Sequence, residues 1–208
     1  YKIELIPGAS GTLAHQILNG APYDVYISAD ATYSDLLYRK GLLSSVPILL
    51  FRGQLAIWSA QKLASWDQQH QDRSLKELLA RAKTIAIAQP TTAPYGTASL
   101  ALLKSLHVFD TIKSKVIYGN NISLINQLIV TQSIDLAFTA RSSATYLEGK
   151  SKGYWYNIEV LPRDKLSHYF YQVNSSNSKR TSEFLHFIQS SASQGILIKY
   201  GYQILVPD

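Results

Sequence analysis

The chain has no cysteine and no methionine among its 208 residues, and only 16% of them are charged. Without cysteine there is no disulfide framework, no zinc–thiolate site, no iron–sulfur cluster and no cysteine nucleophile. A chain opening Tyr1-Lys2-Ile3 carries no initiator methionine, and reads as a processed protein or a fragment. No apolar run approaches the about 18 residues that a membrane span requires, and no signal-type segment opens the chain. Nowhere do five or six Lys or Arg residues run together, and no helix lines them up with interleaved aromatics.

What is present is a globular composition. The hydrophobic share is 46%, inside the range of folded domains, and the length allows one domain or two small ones. Twenty Lys and Arg face fourteen Asp and Glu, a formal charge of +6. That excess invites a nucleic-acid reading, but its scatter along the chain fits a basic, soluble surface better.

Hydrophobic period places short apolar runs between longer amphipathic ones. Strands are expected at Lys2–Ile6, Asp24–Ser28, Leu55–Trp58, Thr84–Ala88, Lys115–Tyr118, Asp135–Thr139 and His168–Val173. Helices are expected at Thr12–Leu18, Ala31–Lys40, Leu75–Arg81, Thr97–Leu106, Ser123–Val130, Ser142–Leu147, Glu183–Gln189 and Ala192–Tyr200. Such alternation predicts an α/β fold with mostly parallel sheets.

In open α/β sheets, ligands gather where strands end and helices begin. At Pro7–Thr12, Ser10 offers a hydroxyl and Gly11 lets a ligand approach the backbone; helix capping by Ser10 or Thr12 is the plainer alternative. Asp30 reads as a structural cap. Gln89–Gly96 adds Thr92 and Tyr95 on a loop stiffened by Pro90 and Pro94. At Tyr118–Ser123, Asn121 can cap while the Ile122 N–H points outward, and Arg141 is the sole cation at these junctions, either solvated or facing a ligand. The set is rich in O–H and N–H donors and poor in bases, which suits a fully deprotonated oxyanion that only accepts hydrogen bonds.

Enzyme constellations are not found. Gly8-Ala9-Ser10-Gly11 lacks the glycine spacing of a nucleophile elbow, and no phosphate-loop or dinucleotide glycine pattern occurs. The five histidines show no metal-ligand spacing. Tyr154-Trp155-Tyr156 could stack a ligand or pack a core or hinge.

At these same junctions the chain resembles the substrate-binding proteins of molybdate/tungstate ABC transporters. SGTLAHQILNGAPYDVYISAD (10–30), FRGQLAIWSA (51–60), AIAQPTTAPYGTASLALLKSL (86–106), YGNNISLINQLIVTQSIDLAFTA (118–140) and SEFLHFIQSSASQGILIKYGY (182–202) carry the similarity in order. The resemblance implies a two-lobed type II periplasmic-binding-protein fold with a hinge of crossing strands. Lobe I would comprise residues 1–55 and 173–208, and lobe II residues 56–172. It also implies that Ser10, Gly11, Tyr95, Ile122 and Asn121 hold the anion. Arg141 stands where the family has an uncharged residue, and Ala140 where other branches have a tyrosine. The family's first strand and helix have no counterpart before Tyr1.

The implied protein is a non-enzymatic receptor with no cofactor and no catalytic or metal-ligating residue. It would take molybdate or tungstate as its ligand and deliver it to an inner-membrane ABC permease. Its expected setting is the periplasm, as a monomer with no nucleic-acid partner and no membrane insertion. The alternatives are a ligand-sensing domain of a transcription regulator, or the same fold holding phosphate, sulfate or a small carboxylate.

Overall fold

A computed structural model describes residues 2–43, 46–64, 66–67, 69–158, 166–174 and 176–204. In chain order its elements are α1 (Ser10–Leu18), β1 (Val25–Ser28), α2 (Thr32–Arg39), β2 (Ile48–Arg52), β3 (Leu55–Ser59), α3 (Gln71–Arg81) and β4 (Ile85–Ala88). There follow α4 (Pro94–Ser105), α5 (Phe109–Ile112), β5 (Val116–Gly119), α6 (Ile122–Val130), β6 (Leu136–Ala140) and α7 (Arg141–Leu147). The chain closes with β7 (Tyr154–Asn157), β8 (Ser167–Gln172), α8 (Ser178–Gln189), α9 (Ser191–Lys199) and β9 (Gln203–Ile204). They form a four-stranded sheet, β1-β8-β2-β9, and a five-stranded one, β5-β4-β6-β3-β7.

The second sheet shows why continuous apolar runs become its strands. β3, β4 and β6 are buried at every position, which requires helices on both faces. Leu55, Ile57, Ile85, Ile87 and Phe138 pack with Leu75 and Leu79 of α3 and Leu103 of α4. Their strand neighbours Trp58, Ala86 and Ala137 point the other way, against Ile125 and Ile129 of α6. In the first sheet β1 alternates instead. Tyr26 joins Ala14 and Ile17 of α1 and Leu37 of α2, while Leu50, Phe51 and Phe170 pack on the opposite side under α8 and α9.

The chain passes between the sheets at Gly53-Gln54 and again between Ile158 and Leu166. The passages are tied together, since Gly53 N donates to Leu166 O (2.9 Å) and Ile158 N to Leu55 O (3.1 Å). Leu55 faces Ala140 in the ladder, so the passage lies at the carboxyl edge of β6 and of its parallel neighbours β4 and β5. β1 and β2 both run antiparallel to β8, and Ser28 and Arg52 face Tyr169 and Ser167 near its start. The carboxyl ends of both sheets therefore meet at the crossing.

This geometry corrects the expectation of mostly parallel sheets: they are mixed. Parallel pairing is confined to β4–β5 and β4–β6, and every other named pairing is antiparallel. A strand arriving from the other lobe enters at the carboxyl edge and must run against the strands that end there. β3 does so in the second sheet, and β8 in the first. β8 also corrects the expected boundary after residue 172, because Ser167–Gln172 pairs with β1 and β2. Alternation marks a strand without saying which sheet receives it.

Lys2–Ile6 is not a strand. It has no ladder partner among the described residues, and Ile3, Leu5 and Ile6 are 54%, 79% and 44% exposed. Apolar alternation sets a face but cannot supply a partner. Four elements escaped the sequence reading: β2, the single-turn α5, β7 and the short β9.

Candidate functional site

The starts of α4, α6 and α7 follow the carboxyl ends of β4, β5 and β6, and the start of α1 bonds the second lobe through Gly11. The first amides of a helix have no intrahelical acceptor and bond outside it, as Gly11 N does to Thr92 O and Arg141 N to Gln54 O. Ser10 is the first residue of α1 and does not cap it; that place is held by Ala9, with no side-chain bond. The Ser10 hydroxyl accepts from Ala29 N (3.1 Å), and the Ser10 carbonyl accepts from the Tyr26 hydroxyl (2.8 Å). With its oxygen receiving the Ala29 amide, Ser10 retains its own hydrogen as a donor. Burial pushes the Tyr26 phenol upward, so it stays protonated and keeps Ser10 in place.

The lobes touch at this point. Gly11 N donates to Thr92 O (2.9 Å), and the Tyr33 hydroxyl donates to Thr91 O. The Gly11 amide, expected to face a ligand, is thus engaged with the second lobe. Asp30 behaves as expected of a structural group, its Oδ1 accepting from Thr32 N (3.1 Å).

From the second lobe, Tyr95 is the second residue of α4 and is buried, 8% exposed. Burial first, and the nearby Tyr202 phenol second, hold its pKa well above the ordinary value, so it is a neutral donor. Asn121 caps α6, its Oδ1 accepting from Leu124 N (2.9 Å), which commits that oxygen to the helix. Ile122 follows as the first helical residue, packed against both second-lobe core clusters. Ala9 belongs to the cluster holding Ala88, Ala93 and Ile122, and Ala29 to the one holding Tyr95 and Ala140. The α1 start is thus packed against the second lobe, next to the Thr92 loop that precedes Tyr95.

Arg141 stands differently. Its N–H donates to Gln54 O (2.8 Å) at the crossing, and its Cγ, Cδ and Nε lie over Gly201. No ion pair of Arg141 occurs among the described residues. Next to it, Ser142 Oγ receives the Tyr202 hydroxyl (3.1 Å), a further bond between the lobes. Tyr154–Tyr156 does not stack in the cleft. It is β7, paired to β3, with the Tyr156 ring 4.7 Å from Trp66 and its oxygen accepting from Leu63 N (2.9 Å).

The sequence reading missed His168, Gly53 and Tyr202, which gather at the crossing. The imidazole stacks on Phe51 (4.8 Å) and meets Tyr202 (5.7 Å) and Tyr95 (6.2 Å). Its Nδ1 lies 2.9 Å from Leu166 O, which can only accept, so Nδ1 carries the proton. Burial lowers the His168 pKa from 6.5 to about 4, against the Leu166 bond that raises it, so the ring is neutral. Ser10 has an amide at its oxygen, not a base, and no cluster of metal-ligating side chains occurs among the described residues. What the site can do chemically is hold an acceptor by neutral donors.

Two α/β lobes, joined by paired crossings with helix starts facing the gap, define a binding protein of the type II periplasmic-binding-protein fold. The chain belongs to the bacterial extracellular solute-binding protein family, whose model matches residues 1–203. It is therefore a solute-binding protein and not an enzyme. The molybdate-binding protein ModA of Rhodobacter capsulatus is 29% identical over 94% of this chain and 75% of its own length. ModA of Azotobacter vinelandii is 34% identical over 74% of this chain and 59% of that protein. Among solved structures, the periplasmic molybdate-binding protein of Azotobacter vinelandii superposes with a TM-score of 0.83 at 25% identity, covering 100% of this chain and 89% of that one. The sulfate-binding protein SubI of Mycobacterium tuberculosis shares the fold, with a TM-score of 0.70 at 15% identity over 96% of this chain and 75% of its own.

Proposed function

We propose that this protein captures a tetrahedral oxyanion, molybdate or tungstate, between its lobes and hands it to an ABC permease outside the cytoplasm, acting as a monomer. What supports the reading is the bond from Gly11, beside Ser10, to Thr92 of the second lobe, with Tyr95 three residues further on against Gly53 of the crossing and Ile122 at the start of α6. Ser10 gives its hydroxyl hydrogen, Tyr95 its phenol, and Ile122 its helix-start amide. A molybdate dianion accepts from all three and donates to none. Helix starts favour such an anion without a buried countercharge. The names of the similar ModA proteins support the choice of ligand. No helix among the described residues is long and apolar enough to cross a membrane, in keeping with a separate permease.

Lobe I in this reading comprises the first sheet with α1, α2, α8 and α9, and lobe II the second sheet with α3 to α7. Titration calorimetry with molybdate, tungstate, sulfate and phosphate tests it. Heat with molybdate and tungstate is expected, and Ser10→Ala should weaken binding by about 10-fold or more, the worth of a hydrogen bond to a charged group. Heat with none of the four would reject the reading, and a preference for phosphate or sulfate would change the cargo.

A further inference from the structure

Tyr95 reaches from the second lobe to the crossing itself. A Cβ added at Gly53 would collide with Tyr95 Oη and would stand 2.9 Å from His168 Cε1 and 3.2 Å from Tyr95 Cζ. Gly53 is not among the residues of positive φ, so space, not backbone conformation, demands glycine here. The socket is held from three directions. Leu166 O receives both Gly53 N (2.9 Å) and His168 Nδ1 (2.9 Å), which fixes the crossing and the ring to one acceptor. Phe51 backs the imidazole at 4.8 Å, and Tyr202 closes its edge at 5.7 Å.

We infer that Gly53 and His168 are positioning residues for the Tyr95 hydroxyl, so that the passage between the lobes sets where the second lobe's donor stands. The inference rests on Tyr95 being an anion donor, as proposed above. A ring anchored only by α4 could swing about its own side-chain bonds, whereas one seated against the crossing keeps its oxygen in register with the first lobe. The structural consequence is that a methyl group at position 53 displaces the phenol without altering any residue that meets the anion.

A double-mutant cycle tests this, with molybdate affinity read by calorimetry for the unaltered protein, Gly53→Ala, Tyr95→Phe and the double variant. Gly53→Ala should weaken molybdate binding by about 10-fold or more in the presence of the Tyr95 hydroxyl. Added to Tyr95→Phe it should cost several-fold less than it does alone, because the colliding oxygen is gone and only the 2.9 Å approach to His168 Cε1 and the 3.2 Å approach to the ring remain. An equal loss in both backgrounds would indicate a merely structural glycine and overturn the inference, as would unaltered affinity in Gly53→Ala. Should Gly53→Ala fail to fold, the double variant is expected to recover the fold. Its failure to do so would show that something other than the phenol needs the space. Absence of heat from the unaltered protein would reject the anion reading, and this inference with it, whereas a failed cycle in a protein that binds molybdate rejects the inference alone.

Discussion

The two sheets meet the same crossing but are covered to different degrees. In the second, β3, β4 and β6 are buried at every position between helices on both faces. In the first, β1 alternates buried with half-buried residues, and β2 and β8 each leave several positions half-buried. Lys2–Ile6 is coil with three exposed apolar side chains. An apolar run is thus necessary for a strand but not sufficient. IAIA at 85–88 finds a ladder on both sides, while KIELI at 2–6 finds none among the described residues. The second lobe resembles a frame and the first a partly covered counterpart.

Core truncation should expose the contrast most strongly. Phe138 lies on β6 at 0% exposure in the largest apolar cluster, and Phe170 on β8 at 2% in a cluster with only Leu50 and Phe51 buried beside it and partly buried neighbours around them. Phe138→Ala is expected to cost about 4–5 kcal/mol and Phe170→Ala about 3 kcal/mol, since the less enclosed site can relax around the cavity. Urea unfolding measures both, and an equal or larger loss at Phe170 would erase the distinction.

Acid should separate the lobes next. Burial draws His168 of the first sheet from 6.5 to about 4, so the unfolded chain takes up a proton that the folded one refuses. The corresponding stability is complete above about pH 6.5 and is lost as the pH falls toward 4, on the order of 3 kcal/mol. In the second lobe, burial raises the Asp135 carboxyl, but hydrogen bonds from Lys83 N, Thr84 N and Thr84 Oγ1 outweigh it and hold the pKa low. That contribution is lost only below the ordinary carboxylate range. Thermal melts between pH 7 and 4 should fall steeply for the unaltered protein and stay flatter for His168→Gln. The same slope in both would remove His168 as the cause.

The smallest effect is expected at the exposed segment. Leu5→Gln should change stability by less than about 0.5 kcal/mol, as for other exposed positions. A clear loss in the unfolding midpoint would show that Lys2–Ile6 is packed in solution.

The helix starts that carry the candidate site were legible because junction chemistry is local. Ser10 precedes a helical period, Pro94 opens the α4 turn beside Tyr95, and Asn121 is a strong cap with Ile122 behind it. The tight surroundings of Gly53 were not legible, because its neighbours Tyr95 and His168 lie far along the chain and no local pattern joins them. His168 itself reads as one polar member of an alternating strand; only the pairing of β8 with β2 carries it to the crossing. The sheets' mixed direction was hidden for the same reason. Strand–helix alternation reports connections, and the direction of β3 and β8 follows from where they enter.

The position of β8 also orders assembly in time. All five strands of the second sheet come from one continuous stretch, residues 55–157. The first sheet cannot close until Ser167 and its successors are available, because β8 lies between β1 and β2 and bonds to both. Closing that ladder joins residues more than a hundred positions apart, the slower kind of pairing. On the ribosome, the second lobe can be finished while the first is still an unpaired β1 and β2 waiting for the strand that will part them.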